Sequence, residues 1–184
     1  MPPRIPDCPL ARTVEQIGPW WTLEILHETY DGFTRFEEIR QSLRTPADVL
    51  ADRLSALVAS GLLTTVTADE KDGGRDDGKD GARDDGARVV GDAGRTAYHP
   101  TELGRSLRPL ILLMAAWGNH RLLAEQRGLI LVDVRTGAEA DPVVVDRHTG
   151  RPLDTADFTF ATGPAAGPEL RARYPRRPAP PTPA

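Results

Sequence analysis

Residues 44–68 read RTPADVLADRLSALVASGLLTTVTA, and the organisation of the chain follows from them. Leu50, Leu54, Leu57 and Val58 recur at helical spacing and line one face of a helix. Thr45 is the N-cap candidate, Pro46 suits the first helical position, and Asp48 stands three residues on, as in a capping box. Gly61 supplies the stop. The β-branched run LLTTVTA then predicts a strand. With the leucines turned inward, the outward face carries Thr45, Asp48, Ala51, Asp52 and Ser55, a small and polar set that allows close approach to a groove.

Working outward, Phe36, Ile39 and Leu43 fall at i, i+3 and i+7 and predict a preceding core-facing helix. Two short helices joined by a tight turn, with a strand directly after, make a helix-turn-helix outline. Upstream, one helix starts at Pro9 with Val14 and Ile17 on one face until Gly18-Pro19. A second, from about Trp20, carries Trp21, Ile25 and Leu26 and stops at Asp31-Gly32. Downstream, RTAYH (95–99) supplies another strand, so 62–99 predicts a long hairpin. Helix-turn-helix plus hairpin is a winged helix, giving an α+β fold that is mainly α.

From Thr101 to about Gln126 the spacing predicts one long helix, kinked at Pro109, where a backbone hydrogen bond is lost. Leu103, Leu107, Leu110, Met114 and Trp117 recur at intervals of 4, 3, 4 and 3, as in a coiled coil. Residues 110–117, LILLMAAW, are apolar on nearly every side, and such a helix buries two faces. One face packs on its own domain; the other is expected to meet a second copy, so a homodimer is predicted. Residues 8–127 are thus expected to form one winged-helix domain that includes the dimerisation helix. Residues 128–162 alternate around two Thr-Gly turns and predict a small β appendage, and the Pro/Arg-rich 163–184 predicts a disordered tail. Residues 69–95 predict an extended, flexible wing. Its nine acidic against six basic residues hold most of the net charge of −4.

At 184 residues the chain has room for one ordinary domain plus additions. Its negative balance argues against indiscriminate nucleic-acid binding, which rests on phosphate neutralisation. No apolar run approaches the roughly 20 residues that span a bilayer. The first ten residues lack the apolar stretch of a signal peptide, and a single cysteine forms no internal disulfide; a cytoplasmic location is expected. Neither a nucleophile–base pair nor a phosphate loop is present, so no enzyme is expected. His27, His99, His120 and His148 show no ligand spacing with Cys8, and the Asp/Gly run fails the EF-hand pattern; no metal and no cofactor are expected. Cys8 has two readings. A helix start favours thiolate and hence a redox or electrophile sensor; alternatively, Cys8-Pro9 only begins the helix.

The chain resembles the HxlR-type winged helix-turn-helix transcriptional regulators, which share the outline of MarR-type regulators. The landmarks are Cys8-Pro9, Gly18, Trp21-Thr22-Leu23, Ile25-Leu26, Gly32, Arg35-Phe36, Leu50, Arg53-Leu54, Leu57, Gly61-Leu62, Tyr98, Thr101, Gly104 and Trp117, in order across about residues 8–120. The resemblance implies double-stranded DNA as partner, with the helix from Pro46 in the major groove and the helix from Thr101 building the dimer. Some members use the equivalent cysteine as a sensor. On that reading Arg35, Arg44, Arg53, Arg88 and Arg95 supply phosphate contacts, and Thr45 with Asp48, Ala51, Asp52 and Ser55 approaches the bases. A small-molecule effector is a further candidate partner. The sequence departs from the family where Asp48 and Asp52 replace basic or neutral residues, at Pro19-Trp20, and in the acidic wing. Across 35–62 four arginines face four carboxylates, which motivates an alternative: a protein-interaction module of the same fold without DNA affinity.

Overall fold

A computed structural model describes residues 7–67 and 95–176. Most of the predicted wing, including Arg88, and the final residues of the tail lie outside the described residues. The chain divides into two compact units, Trp20–Ile111 and Met1–Pro19 with Leu112–Ala184.

The first unit holds helices α2 (Thr22–Tyr30), α3 (Phe36–Leu43) and α4 (Ala47–Ala59), strands β1 (Leu63–Thr67) and β2 (Thr96–Pro100), and helix α5 (Glu102–Ser106). Helix α1 (Pro9–Ile17) precedes them in the chain. Ile25 and Leu26 from α2, Ile39 from α3, Leu50 and Leu54 from α4 and Leu63 from β1 are fully buried. Burying side chains of this size contributes about 1.5–3 kcal/mol each, which is what closes α2, α3 and α4 around one core. β1 and β2 pair antiparallel, with Thr65 opposite Tyr98. A third short partner joins them: Arg35 bridges Ala97, and the Tyr98 N–H donates to the Thr34 carbonyl at 2.7 Å. This completes the winged-helix sheet and sets α3 against the wing stem; no hydrophobic alternation announces it.

Several boundaries differ from expectation. α2 starts at Thr22, because Trp21 takes a left-handed conformation (φ 72°) at the N-cap, and Trp20 is left 77% exposed. The cap of α4 is Pro46, with no side-chain cap bond, so Thr45 is not its N-cap and Asp48 completes no capping box. Thr45 is instead buried. Gly61 ends α4 as expected: at φ +72° its N–H donates to the Val58 carbonyl, and Leu62 N–H reaches Leu57.

The helix predicted over 101–126 is three pieces. α5 stops before Leu107, α6 runs Arg108–Asn119, and a single 3-10 turn covers Ala124–Gln126. Pro109 explains the break. It cannot continue α5, but it fits the first turn of α6, where its missing N–H leaves nothing unpaired. The intended stripe is therefore split, and of its members only Leu110, Met114 and Trp117 share α6.

The second unit holds α1, the greater part of α6, residues 120–162 and α7 (Pro168–Arg173). The appendage at 128–162 contains no strand; it is built from two tight turns closed by single bridges, Val132 with Glu139 and Val145 with Pro152. In each turn an Asp side chain accepts backbone N–H groups: Asp133 from Arg135 at 2.8 Å, Asp146 from Thr149 at 3.1 Å. The Thr149 hydroxyl also donates to Asp146, which with the N–H groups of His148 and Thr149 holds that carboxyl below its ordinary range. Turn chemistry satisfies this backbone without a ladder. The tail segment 163–176, expected to lack order, carries α7, whose N-cap Gly167 N–H donates to the Asp7 carboxylate at 3.0 Å.

Candidate nucleic-acid interface

α4 presents the arrangement expected of a recognition helix. Its inner face, Leu50, Leu54 and Leu57, is buried, while Asp48, Asp52 and Ser55 are exposed and Ala51 is half-buried. Thr45 falls away from this set because its side chain points into the core, 2% exposed, with its hydroxyl lacking a partner among the described residues. It is not available to a base edge.

Arg44 makes the turn between α3 and α4. It is exposed and left-handed (φ 52°), a conformation that costs a non-glycine residue about 1–2 kcal/mol. Arg35 is exposed at the N-cap of α3, and Arg95 is exposed at the foot of β2. Arg53 is half-buried, and its Nε lies out of solvent with no hydrogen-bond partner among the described residues.

The balance of four arginines and four carboxylates changes once partners are assigned. Glu37 is occupied by Arg40 at 2.8 Å. Glu38 caps α3, accepting from the N–H groups of Arg35 at 2.9 Å and Thr34 at 3.1 Å. What faces outward along the turn and α4 is Arg44 with Asp48 and Asp52, and neither aspartate has a hydrogen-bond or ion-pair partner among the described residues. An unpaired carboxylate is chemically able to accept from an N–H donor such as cytosine N4 and is repelled by phosphate.

Two further residues, Tyr30 and Thr101, fix α5 against α2 and the end of α4. Tyr30 donates from its hydroxyl to the Gly104 carbonyl at 2.6 Å. Thr101 caps α5, accepting from Gly104 N–H at 3.0 Å while donating to the Gly61 carbonyl at 2.6 Å. The Thr101–Gly104 spacing carried the capping signal; the Tyr30 contact, across 74 residues, had none.

In the second unit, Cys8 occupies the N-cap of α1, half-buried, with no side-chain cap bond, and Leu10 and Val14 on that helix are exposed. On α6, Met114 is 45% and Trp117 71% exposed. No helix among the described residues is long and apolar enough to cross a membrane.

Residues 16–73 match the HxlR-like helix-turn-helix family. The chain is similar to the HTH-type transcriptional regulator Rv3095 of Mycobacterium tuberculosis (strain ATCC 25618 / H37Rv). The two are 29% identical over 156 residues, which cover 84% of this chain and 85% of that protein. Among solved structures it resembles PA1607, a candidate transcription factor, with a TM-score of 0.63 and 27% identity over 85% of this chain and 94% of that one. It also resembles PA1374, a candidate transcription factor from Pseudomonas aeruginosa, with a TM-score of 0.57 and 29% identity over 90% and 99% of the two chains. With α4 backed by a buried leucine face and followed by the paired wing strands, the chain is similar in this region to HxlR-like winged helix-turn-helix transcriptional regulators.

Proposed function

We propose that the protein acts in the cytoplasm as a homodimer on a two-fold-related DNA site, with one α4 helix in each of two successive major grooves about 34 Å apart. The observation that carries this reading is the outer face of α4, open to solvent and set on a fully buried inner face. Asp48, Asp52, Ala51 and Ser55 approach the base edges; Arg44, Arg35, Arg53, Arg95 and the wing's Arg88 supply phosphate contacts. Dimerisation is supported by Leu110, Met114 and Trp117, three large apolar side chains 36% to 71% exposed on one face of α6. Leaving such a stripe in water is unfavourable, and a twin subunit removes it. Leu103 and Leu107 lie before the helix break and are left out of this seam.

The test is a gel-shift against the DNA upstream of the gene, with sedimentation of the free protein. The expected result is a retarded dimer complex whose affinity falls with salt. Two unpartnered carboxylates on α4 favour a second reading, a protein-interaction module of the same fold. No shift even at low salt, with a stable dimer, supports that reading and overturns the first.

A further inference from the structure

One side of α6, within the second unit, borders two cavities of about 410 Å³ each. Ala116, His120 and Asp141 line both, so they adjoin. That size suits a small organic ligand. One cavity has a largely apolar wall of Leu113, Met114, Trp117 and Pro142; the other adds Asn119, Arg127 and Glu139.

The Trp117 and His120 rings stack, with centroids 5.4 Å apart and planes 24° from parallel. His120 is fixed on both ring nitrogens, Nδ1 against the Trp117 carbonyl at 2.8 Å and Nε2 accepting from Arg121 Nε at 3.3 Å. With both ring nitrogens engaged, the ring is held flat beside the cavity. Arg127 spends Nη1 on Glu139 at 2.7 Å and Nε on the Leu122 carbonyl at 3.2 Å. Asn119 spends its amide on the Leu129 carbonyl at 2.7 Å.

Three acceptors on this lining are unspent: the Asn119 side-chain oxygen, the second oxygen of Glu139, and the Asp141 carboxylate, which has no partner among the described residues. Donors remain too, on Asn119 Nδ2, the two Nη groups of Arg127 and the Trp117 indole; what the lining keeps unbalanced is charge, because Arg127 is paired with Glu139 and Asp141 has no cation beside it among the described residues. An aromatic wall beside unspent acceptors and an unpaired negative charge selects a flat ligand that is cationic and rich in N–H groups.

We propose that this cavity binds a small planar aromatic cation, an aryl amine or amidine, stacked against Trp117 with its N–H groups on Asp141 and Asn119. Because Met114 and Trp117 also belong to the proposed dimer seam, an occupant touches the element that would set the spacing of the two α4 helices. The inference deepens the regulator reading by naming the ligand class, and the two readings fail separately.

The test is isothermal titration of the full chain with proflavine, a flat cationic diamine, against anthracene-9-carboxylate, a flat anion of similar size. Saturable binding of proflavine at 1:1 per chain, with the anion silent, is expected. Asp141→Asn should weaken proflavine about tenfold or more, and Asp141→Lys should abolish it and admit the anion. Asp141 is exposed, so both variants should keep the parent melting temperature. Equal affinity for cation and anion, or unchanged proflavine binding in Asp141→Asn, overturns the proposal. A gel-shift without ligand is read alongside it: proflavine binding without an operator complex keeps the ligand site and defeats the regulator reading, and the reverse result defeats only the site.

Discussion

The Tyr30 hydroxyl, on the second helix, reaches 2.6 Å to the carbonyl oxygen of Gly104, on the short helix after the wing. Residue 104 is held to glycine by a different neighbour, the Leu62 backbone. A Cβ on residue 104 would lie 2.2 Å from the Leu62 carbonyl oxygen and 3.4 Å from Pro100 Cβ, so backbone would have to move. Gly104→Ala should cost about 1–3 kcal/mol through overpacking, and Tyr30→Phe about 1 kcal/mol through the lost hydrogen bond. Denaturant unfolding measures both. A Gly104→Ala protein as stable as the parent would show that the helix after the wing does not pack as described.

The same tyrosine predicts an alkaline limit. Burial holds the Tyr30 hydroxyl above its ordinary 10.0, with the Arg108 guanidinium pulling the other way, and burial raises Tyr98 as well. Unfolded tyrosines lose their protons from about pH 10, whereas the folded protein keeps these two to higher pH. Stability from them is therefore complete below the unfolded value and is lost as pH rises through the folded one. The melting temperature should fall above pH 10, and Tyr30→Phe should make that fall shallower. Parallel curves for parent and variant would remove Tyr30 from the account.

Arg44 separates stability from recognition. It holds a left-handed turn that glycine adopts without penalty, yet it is also the exposed cation beside the outer face of α4. Arg44→Gly should leave the protein unchanged or about 1 kcal/mol more stable while lowering operator affinity and flattening its salt dependence. Equal affinity in a melting-and-anisotropy comparison would take Arg44 off the DNA.

Much of this architecture was legible because it is local. The leucine spacing of α4, its Gly61 stop and the strand after it are set by residues within one turn of each other. What escaped depends on partners distant in sequence. Thr45 has the composition of a cap, but the Arg44 turn rotates it into the core, where burial decides over capping preference. Pro109 signalled a kink and produced a break, because the chain could restart a helix there with the proline in its first turn. The appendage reads as β by residue type, yet Asp133 and Asp146 satisfy its turns so fully that single bridges suffice. At the interface, the charge balance of 35–62 does not show which carboxylates are engaged: Glu37 pairs with Arg40 and Glu38 caps α3, leaving Asp48 and Asp52 facing outward.

Cys8 is expected to act through position. Its backbone carbonyl accepts from Arg12 N–H at 3.2 Å to open α1, its thiol makes no cap bond, and the neighbouring Asp7 carboxylate meets both Arg12, at 3.7 Å, and Gly167 N–H. Cys8→Ser should therefore retain operator affinity within about twofold, less than half the 1.4 kcal/mol of a tenfold change. Mild oxidant should affect parent and variant alike. A disulfide-linked dimer on non-reducing electrophoresis of the parent, with loss of DNA binding absent from Cys8→Ser, would make the residue a sensor.

Arg53 carries the last prediction, because its two roles pull in opposite directions. Its Nε is buried without a partner among the described residues, and a group left so costs roughly 1–3 kcal/mol. A residue retained at that cost on the side of α4 is explained if the guanidinium end reaches DNA. Methionine keeps the length and apolar stem and removes the orphaned donor. Arg53→Met should then melt at or above the parent temperature while binding its operator about tenfold more weakly, with one phosphate contact fewer in the salt slope. Lower stability with unchanged affinity would mean that Arg53 serves the fold, and the phosphate contacts would pass to Arg35, Arg44 and the wing stem.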